Sequence, residues 1–263
     1  MQIAPNKKIY FLSDFHLGAP NFLASLEREK KVCAFLDRCK ADADTIFLVG
    51  DLFDFWYEYK RVVPKGYTRL LGKLSELADA GIKLIFFVGN HDMWVKDYFK
   101  QEISMDIEFE PKRYTINGKK FLIGHGDGLG PGDYGYKSLK KVFRNPISQF
   151  LFGLFPPKLG IGMADYFSKK SRAQTGATEE HFLGEEKEWL IIYCKEKLQT
   201  EPFDYFIFGH RHLPIDYAIQ AGNNKSKYIN LGDWIRFFTY ATFDGQHVEL
   251  HSYESSAASI VRG

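Results

Sequence analysis

Five short stretches of this chain carry side chains that bind divalent cations. They are Asp14-Phe15-His16, Gly50-Asp51, Gly89-Asn90-His91-Asp92, Gly124-His125-Gly126-Asp127 and Gly209-His210-Arg211-His212. Imidazole, carboxylate and side-chain carbonyl together suit borderline or hard ions such as Mn2+, Fe2+ or Zn2+, and the lack of cysteine among them argues against a structural zinc site. The last stretch follows the apolar run 205–208. On an extended segment residues i and i+2 share a side, so His210 and His212 are expected to face one point. Taken singly, an Asp or His at a strand end is more often a cap or a hydrogen-bonded structural residue. The set weighs more, because most of these positions have glycine beside them, which lets backbone approach a shared site closely.

The elements that must position these residues follow from the apolar pattern. Residues 8–13 and 45–49 and the run 83–88 read as buried strands, each ending in one of the polar stretches. Ligands bind at such carboxyl ends in open α/β sheets. Residues 27–40 and 67–80 read as amphipathic helices between them, so the first part of the chain is a series of βα units in an α/β fold. From 107 onward short strands are expected, with a hairpin turn at Asn117-Gly118. A helix over 185–197 with Trp189, Ile192 and Tyr193 on one face should lead to the His210/His212 strand. Strands over 228–234, 236–243 and 248–253 should close the fold, and 255–263 should be a loose tail.

Residues 128–186 differ in texture. A glycine-rich loop precedes an apolar helix over 147–155 stopped by Pro156 and Pro157, and a basic segment, 166–172, follows. We read this as a helical insertion within a single domain spanning 1–263. Packing of the insertion on the main core is the alternative to an exposed role.

Composition bounds the rest. With 45% hydrophobic, 16% aromatic and 26% charged residues the chain is globular, and disorder is not expected outside its ends. A formal net charge of +2 gives no argument for nucleic acid, and none is expected as a partner. Cys33, Cys39 and Cys194 lack a paired spacing and read as reduced thiols of a cytosolic protein. No apolar signal core opens the chain and no 18-residue apolar run occurs, which disfavours secretion or a membrane span.

The five stretches, in this order, resemble the calcineurin-like metallophosphoesterases, whose pattern is D-x-H, G-D, G-N-H-(D/E), G-H and G-H-x-H. The resemblance spans 14–212 and implies a four-layer α/β/β/α sandwich with the site at one edge of two sheets. It also implies two divalent metal ions, Mn2+ first among the candidates. One would take Asp14, His16 and His212, the other Asn90, His125 and His210, with Asp51 bridging. A bridging carboxylate holds two cations about 3.5–4 Å apart, which permits in-line attack by an activated water. In the family the histidine at the His91 position stabilises transition-state charge or protonates the leaving oxygen, and Asp92 would orient it. Asp54 and Asp127 could orient ligating histidines or could be turn residues.

Within that family the chain is most similar to the UDP-2,3-diacylglucosamine pyrophosphatases of lipid A synthesis, through 13–18, 48–54, 89–92, 125–129, Asp133, Tyr136 and the insertion. In those enzymes the insertion is a lid over acyl chains. By resemblance, Tyr136, Ser171 and Arg172 would contact substrate. A UDP-linked glycolipid substrate and a cytoplasmic location, peripheral on the inner membrane, are implied. The chain departs from many of those enzymes at His91, where they carry arginine. Phe150, Leu151, Phe152, Leu154 and Phe155 with Lys169, Lys170 and Arg172 nonetheless suit an anionic amphiphile. A soluble phosphomonoesterase or cyclic-nucleotide phosphodiesterase of the same fold is the alternative. A catalytically silent scaffold fits poorly with an intact ligand set.

Overall fold

The structure is a computed structural model that describes residues 1–132, 134–160, 162–163, 181–254 and 260–263. Three βα units open the chain: β1 (Lys8–Leu12), α1 (Phe22–Cys39), β2 (Ala43–Val49), α2 (Thr68–Asp79), β3 (Lys83–Phe87) and α3 (Tyr98–Ile103). After β4 (Asp106–Glu108) comes the hairpin β5 (Lys112–Ile116) and β6 (Lys119–Gly124), then α4 (Tyr134–Arg144) and α5 (Pro146–Gly153). The chain continues with α6 (Trp189–Thr200), β7 (Tyr205–Phe208), β8 (Pro214–Ala221), β9 (Asn224–Leu231), β10 (Thr239–Phe243), β11 (Val248–Ser252) and β12 (Val261–Arg262).

The strands form two six-stranded sheets, ordered β11-β10-β1-β2-β3-β4 and β12-β8-β9-β7-β6-β5. Pairing is parallel along β1-β2-β3-β4 and along β6-β7-β9, so the carboxyl ends of both parallel runs can share one rim. Strand alternation explains why these runs read as continuously apolar. Ile9, Phe11, Phe47, Val49, Ile85 and Phe87 meet Phe121, Ile123, Ile207, Ile229 and Leu231 between the sheets. The intervening residues of the first sheet, such as Tyr10, Leu12, Ile46, Leu48 and Phe86, pack under α1 and α2 through Val32, Phe35, Leu36, Leu70, Leu74 and Leu77. On the far side, Phe206, Phe208, Ile215 and Tyr228 pack under α6. This is the four-layer α/β/β/α arrangement.

Several boundaries differ from the sequence expectation, each for a local reason. Helix α1 begins at Phe22, not near 27, because the Asn21 side chain caps it by accepting the Ala24 N–H at 3.1 Å. The apolar helix starts on Pro146 under an Asn145 cap and ends at Gly153. Pro156 and Pro157 lie beyond that end, and Pro156 O accepts from Gly160 N at 3.1 Å in the next turn. Helix α6 starts at Trp189 and buries Leu190, Ile191, Cys194 and Leu198, not the face of Trp189, Ile192 and Tyr193. Strand β8, unforeseen, pairs antiparallel with β9, and the expected loose tail ends in β12, paired parallel with β8.

Helices α4 and α5 sit between β6 and β7 in the chain. They dock through Phe143 and Phe152, whose rings lie 5.7 and 4.4 Å from the Trp94 ring, and through Trp94 Nε1–H donating to Phe143 O at 2.7 Å. Their other faces are bare: Tyr134, Val142, Ile147, Phe150, Leu151 and Leu154 are between 53% and 77% exposed. The described part of the segment thus packs on the core with one face and exposes the other. Among the described residues no helix is long and apolar enough to cross a membrane.

Candidate metal centre

The carboxyl ends of β1, β2, β3, β6 and β7 are followed by Asp14 and His16, Asp51, Asn90, His125, and His210 with His212. Asp14, His16, Asp51, His210 and His212 all adopt left-handed backbone, with φ between 43° and 65°. Such conformations cost of order 1–3 kcal/mol for a non-glycine residue and persist only where the surroundings enforce them. The 209–212 segment is therefore not extended, contrary to the expectation from its spacing. Glycine is needed beside the ligands for space: a Cβ on Gly50 would collide with the His125 ring, and one on Gly89 with the Asp51 carboxylate.

Asp14, His16 and His212 bring ligand atoms within 4.8 Å of one another, and Asp51, His125 and His210 do the same. A third such group joins His16 and Asp51 to His91. Asp51, a member of the second group, also reaches the first: its Oδ2 is 3.3 Å from His125 Nε2 and 3.6 Å from His16 Nε2. Its Oδ1 accepts the His91 backbone N–H at 2.9 Å. His125 Nδ1 is 2.8 Å from Val49 O, and since a carbonyl only accepts, Nδ1 carries the proton and Nε2 is left to face Asn90 Oδ1 at 3.2 Å.

Imidazole nitrogens and carboxylate oxygens thus converge in a largely buried place. His16 Nε2 and His212 Nε2 stand 3.1 Å apart, with Asp14 Oδ1 3.2 Å from the latter. Asp14 Oδ1 is enclosed and makes no well-aligned hydrogen bond among the described residues, and Asp14 and Asp51 are 0% and 1% exposed. Burying carboxylates this way is costly without cationic partners. The donor set fits two divalent ions.

The titration behaviour agrees with that pressure for positive charge. Burial alone would raise Asp14, but His212 and the hydrogen bonds of His16 and His212 hold it far below the usual range. Asp51 is likewise held down against burial, chiefly by His125 and His91. His125 is pushed up to about 10 because Asp51 outweighs its burial. His210 falls to about 4 through burial and the His125 charge, and His91 falls to about 4, mainly through burial.

The neighbours of these residues revise one expectation and add two residues. Asp92 does not orient the His91 ring: its carboxylate accepts the backbone N–H groups of Leu52 and Gly89 at 2.8 and 2.7 Å, holding the loop itself. Asp54 takes that place, its carbonyl accepting from His91 Nδ1 at 2.9 Å while its carboxylate lies 3.7 Å from both His91 Nδ1 and His16 Nδ1. Asp233, which the sequence did not single out, faces His212 Nδ1 at 3.5 Å and pins its own turn by accepting from Ile235, Arg236 and Phe237. Asn230 Nδ2 donates to Gly209 O at 2.6 Å. Both were hidden in what read as a closing strand. Asp127 lies beside the His125/His210 group and receives Tyr136 O–H at 2.6 Å and Lys140 Nζ at 2.6 Å, which ties α4 to the site. Ser171 and Arg172 lie outside the described residues.

Residues 7–214 match the model of the calcineurin-like phosphoesterase family. The chain belongs to that family. As a calcineurin-like phosphoesterase it is a hydrolase whose chemistry uses divalent metal ions. It is 37% identical to UDP-2,3-diacylglucosamine hydrolase of Porphyromonas gingivalis, over 94% of this chain and 98% of that one. The protein of the same name from Ectopseudomonas mendocina is 27% identical, over 95% of this chain and 100% of its own. Among solved structures, an E. coli phosphoesterase aligns over 94% of this chain and 100% of its own at a TM-score of 0.38 and 15% identity.

Proposed function

We propose that this phosphoesterase hydrolyses the pyrophosphate of UDP-2,3-diacylglucosamine to UMP and 2,3-diacylglucosamine 1-phosphate in lipid A synthesis. The observation that carries the reading is the placement of two ligand groups around Asp51 beside an apolar helical face that a soluble ester does not require. The near full-length similarity to enzymes of that name supports it.

In this reading Asp14, His16 and His212 would hold one cation and Asn90, His125 and His210 the other, with Asp51 within reach of both groups. Mn2+ is the proposed ion, with Fe2+ or Zn2+ as substitutes the donor set also accepts. Bound there, such ions neutralise phosphoryl charge and acidify water. Water oxygen bonds to one phosphorus, the P–O bond to the bridging oxygen breaks, and that oxygen leaves with the other phosphoryl group. His91, 14% exposed at its side chain and oriented through Nδ1 by Asp54, would hold or pass a proton at the leaving oxygen through its other ring nitrogen, Nε2. Asp92 acts through the backbone turn that carries Asn90 and His91. Tyr136, with its hydroxyl on Asp127, would line the substrate path with its ring, and Ser171 and Arg172 are proposed headgroup contacts.

The bare faces of α4 and α5, with Lys137, Lys141 and Arg144 nearby, support a lid (residues 128–186) over acyl chains and peripheral attachment to the cytoplasmic face of the inner membrane. A matched assay with Mn2+ tests the reading on UDP-2,3-diacylglucosamine, an acyl-free UDP-sugar and an aryl phosphate. Preference for the lipid substrate is expected. Cleavage of the acyl-free compounds alone would remove the lipid assignment and favour a soluble phosphomonoesterase.

A further inference from the structure

Arg211 stands between two histidines assigned to different cations, yet its side chain runs the other way, into the protein. Its Nε and Nη2 donate to the two Glu188 carboxylate oxygens at 3.1 and 3.2 Å, and Nη2 also reaches His181 O at 2.7 Å. Both side chains are 1% exposed, and the guanidinium lies 5.4 Å from the Trp189 ring centre. Glu188 also accepts the Leu183 N–H at 3.0 Å and sits at the start of α6. One buried carboxylate thus knots 181–189 together and grips the middle of the metal-binding turn.

That grip meets a need. His210 and His212 hold φ of 65° and 57°, which side-chain-bearing residues avoid, so the turn must be held from outside. Asp14 Oδ2 accepts the His210 N–H at 3.0 Å, and Asn230 and Arg211 N both bond Gly209 O, which secures the first half. Across the second half Asp233 and Asp14 face the His212 ring, and the Arg211 fork holds the chain between the two histidines. A buried ion pair adds little net stability over an apolar substitute, so its contribution here is geometric.

We propose that the Arg211/Glu188 pair is a positioning device for both cation sites, locking His210 and His212 in their left-handed turn and linking that turn to the seating of 181–189, where the chain returns from the insertion. The proposal rests on the dinuclear reading above. Outer partners of ligating groups typically change metal affinity by about 10–100-fold when removed.

The test is calorimetric titration of EDTA-treated protein with Mn2+, alongside far-UV circular dichroism. Arg211→Met is expected to keep its secondary structure and to bind Mn2+ at least about 10-fold more weakly at both sites, since each site loses the fixed position of one histidine. Arg211→Lys is expected to be weakened as well, because an ammonium cannot reproduce the two-pronged contact. If Arg211→Met fails to fold, the neutral double variant Arg211→Gln/Glu188→Gln removes the stranded charge and must still bind weakly. A folded variant of either kind with wild-type affinity at both sites would overturn the proposal while leaving the dinuclear reading intact. Failure of the wild-type chain to take up Mn2+ would overturn both.

Discussion

His125 shows how a single side chain is prepared for its work. Its Nδ1 proton is committed to Val49 O, so its ring presents Nε2 inward, where Asp51 and Asn90 also present oxygen. Without a cation, Asp51 keeps that ring protonated up to about pH 10, and Asp14 and Asp233 hold His212 well above its ordinary range. Both must lose that proton to ligate, whereas His210, lowered to about 4, is already neutral. Loading Mn2+ at pH 7.5 should therefore release protons, read as a buffer-dependent binding enthalpy. A binding enthalpy independent of buffer would contradict these assignments. His91 lies outside the Asp14/His16/His212 and Asp51/His125/His210 groups, and His91→Ala should retain metal, measured by elemental analysis, while turnover falls about 10²-fold or more. Metal loss in that variant would make it a ligand, as the group of His16, Asp51 and His91 geometrically allows.

At the scale of elements, what was legible in the sequence depended on whether a residue's partner was local. The βα units announced themselves, because their strands are buried on both faces and their helices on one. The ligands announced themselves too, since glycine and histidine at strand ends are chemically distinctive. Asp54, Asp233 and Asn230 gave a weaker signal or none: each acts on a residue brought near only by folding, His91, His212 and Gly209. The orienting role expected of Asp92 failed because adjacency in sequence turned its carboxylate to the backbone of Leu52 and Gly89 instead. The buried face of α6 is not legible from its aromatic residues, because the stripe that faces Phe206 and Tyr228 is Leu190, Ile191, Cys194 and Leu198. Where periodicity and packing agree, the stability prediction is direct. Leu74→Ala in α2, at a fully enclosed position between α2 and the first sheet, should cost about 2–5 kcal/mol in denaturant unfolding. A loss under about 1 kcal/mol would mean that this helix packs loosely.

At the scale of the molecule, two sheets bring the carboxyl ends of β1, β2 and β3 against those of β6 and β7, and neither sheet alone holds either ligand group. Asp14 and His16 need His212, and Asp51 needs His125 and His210, so the site exists only once the sandwich closes. The helices between β6 and β7 then add an apolar face tied to the site through Asp127 and Tyr136 and through Trp94. That combination of two buried ligand groups and an exposed apolar face is the basis for the substrate we propose. Its most direct test is the hydrolysis of UDP-2,3-diacylglucosamine by EDTA-stripped protein as Mn2+ is returned stepwise. The account predicts no turnover without metal and a plateau at about two ions per chain; full turnover in the stripped protein, or a plateau at one ion, would contradict it.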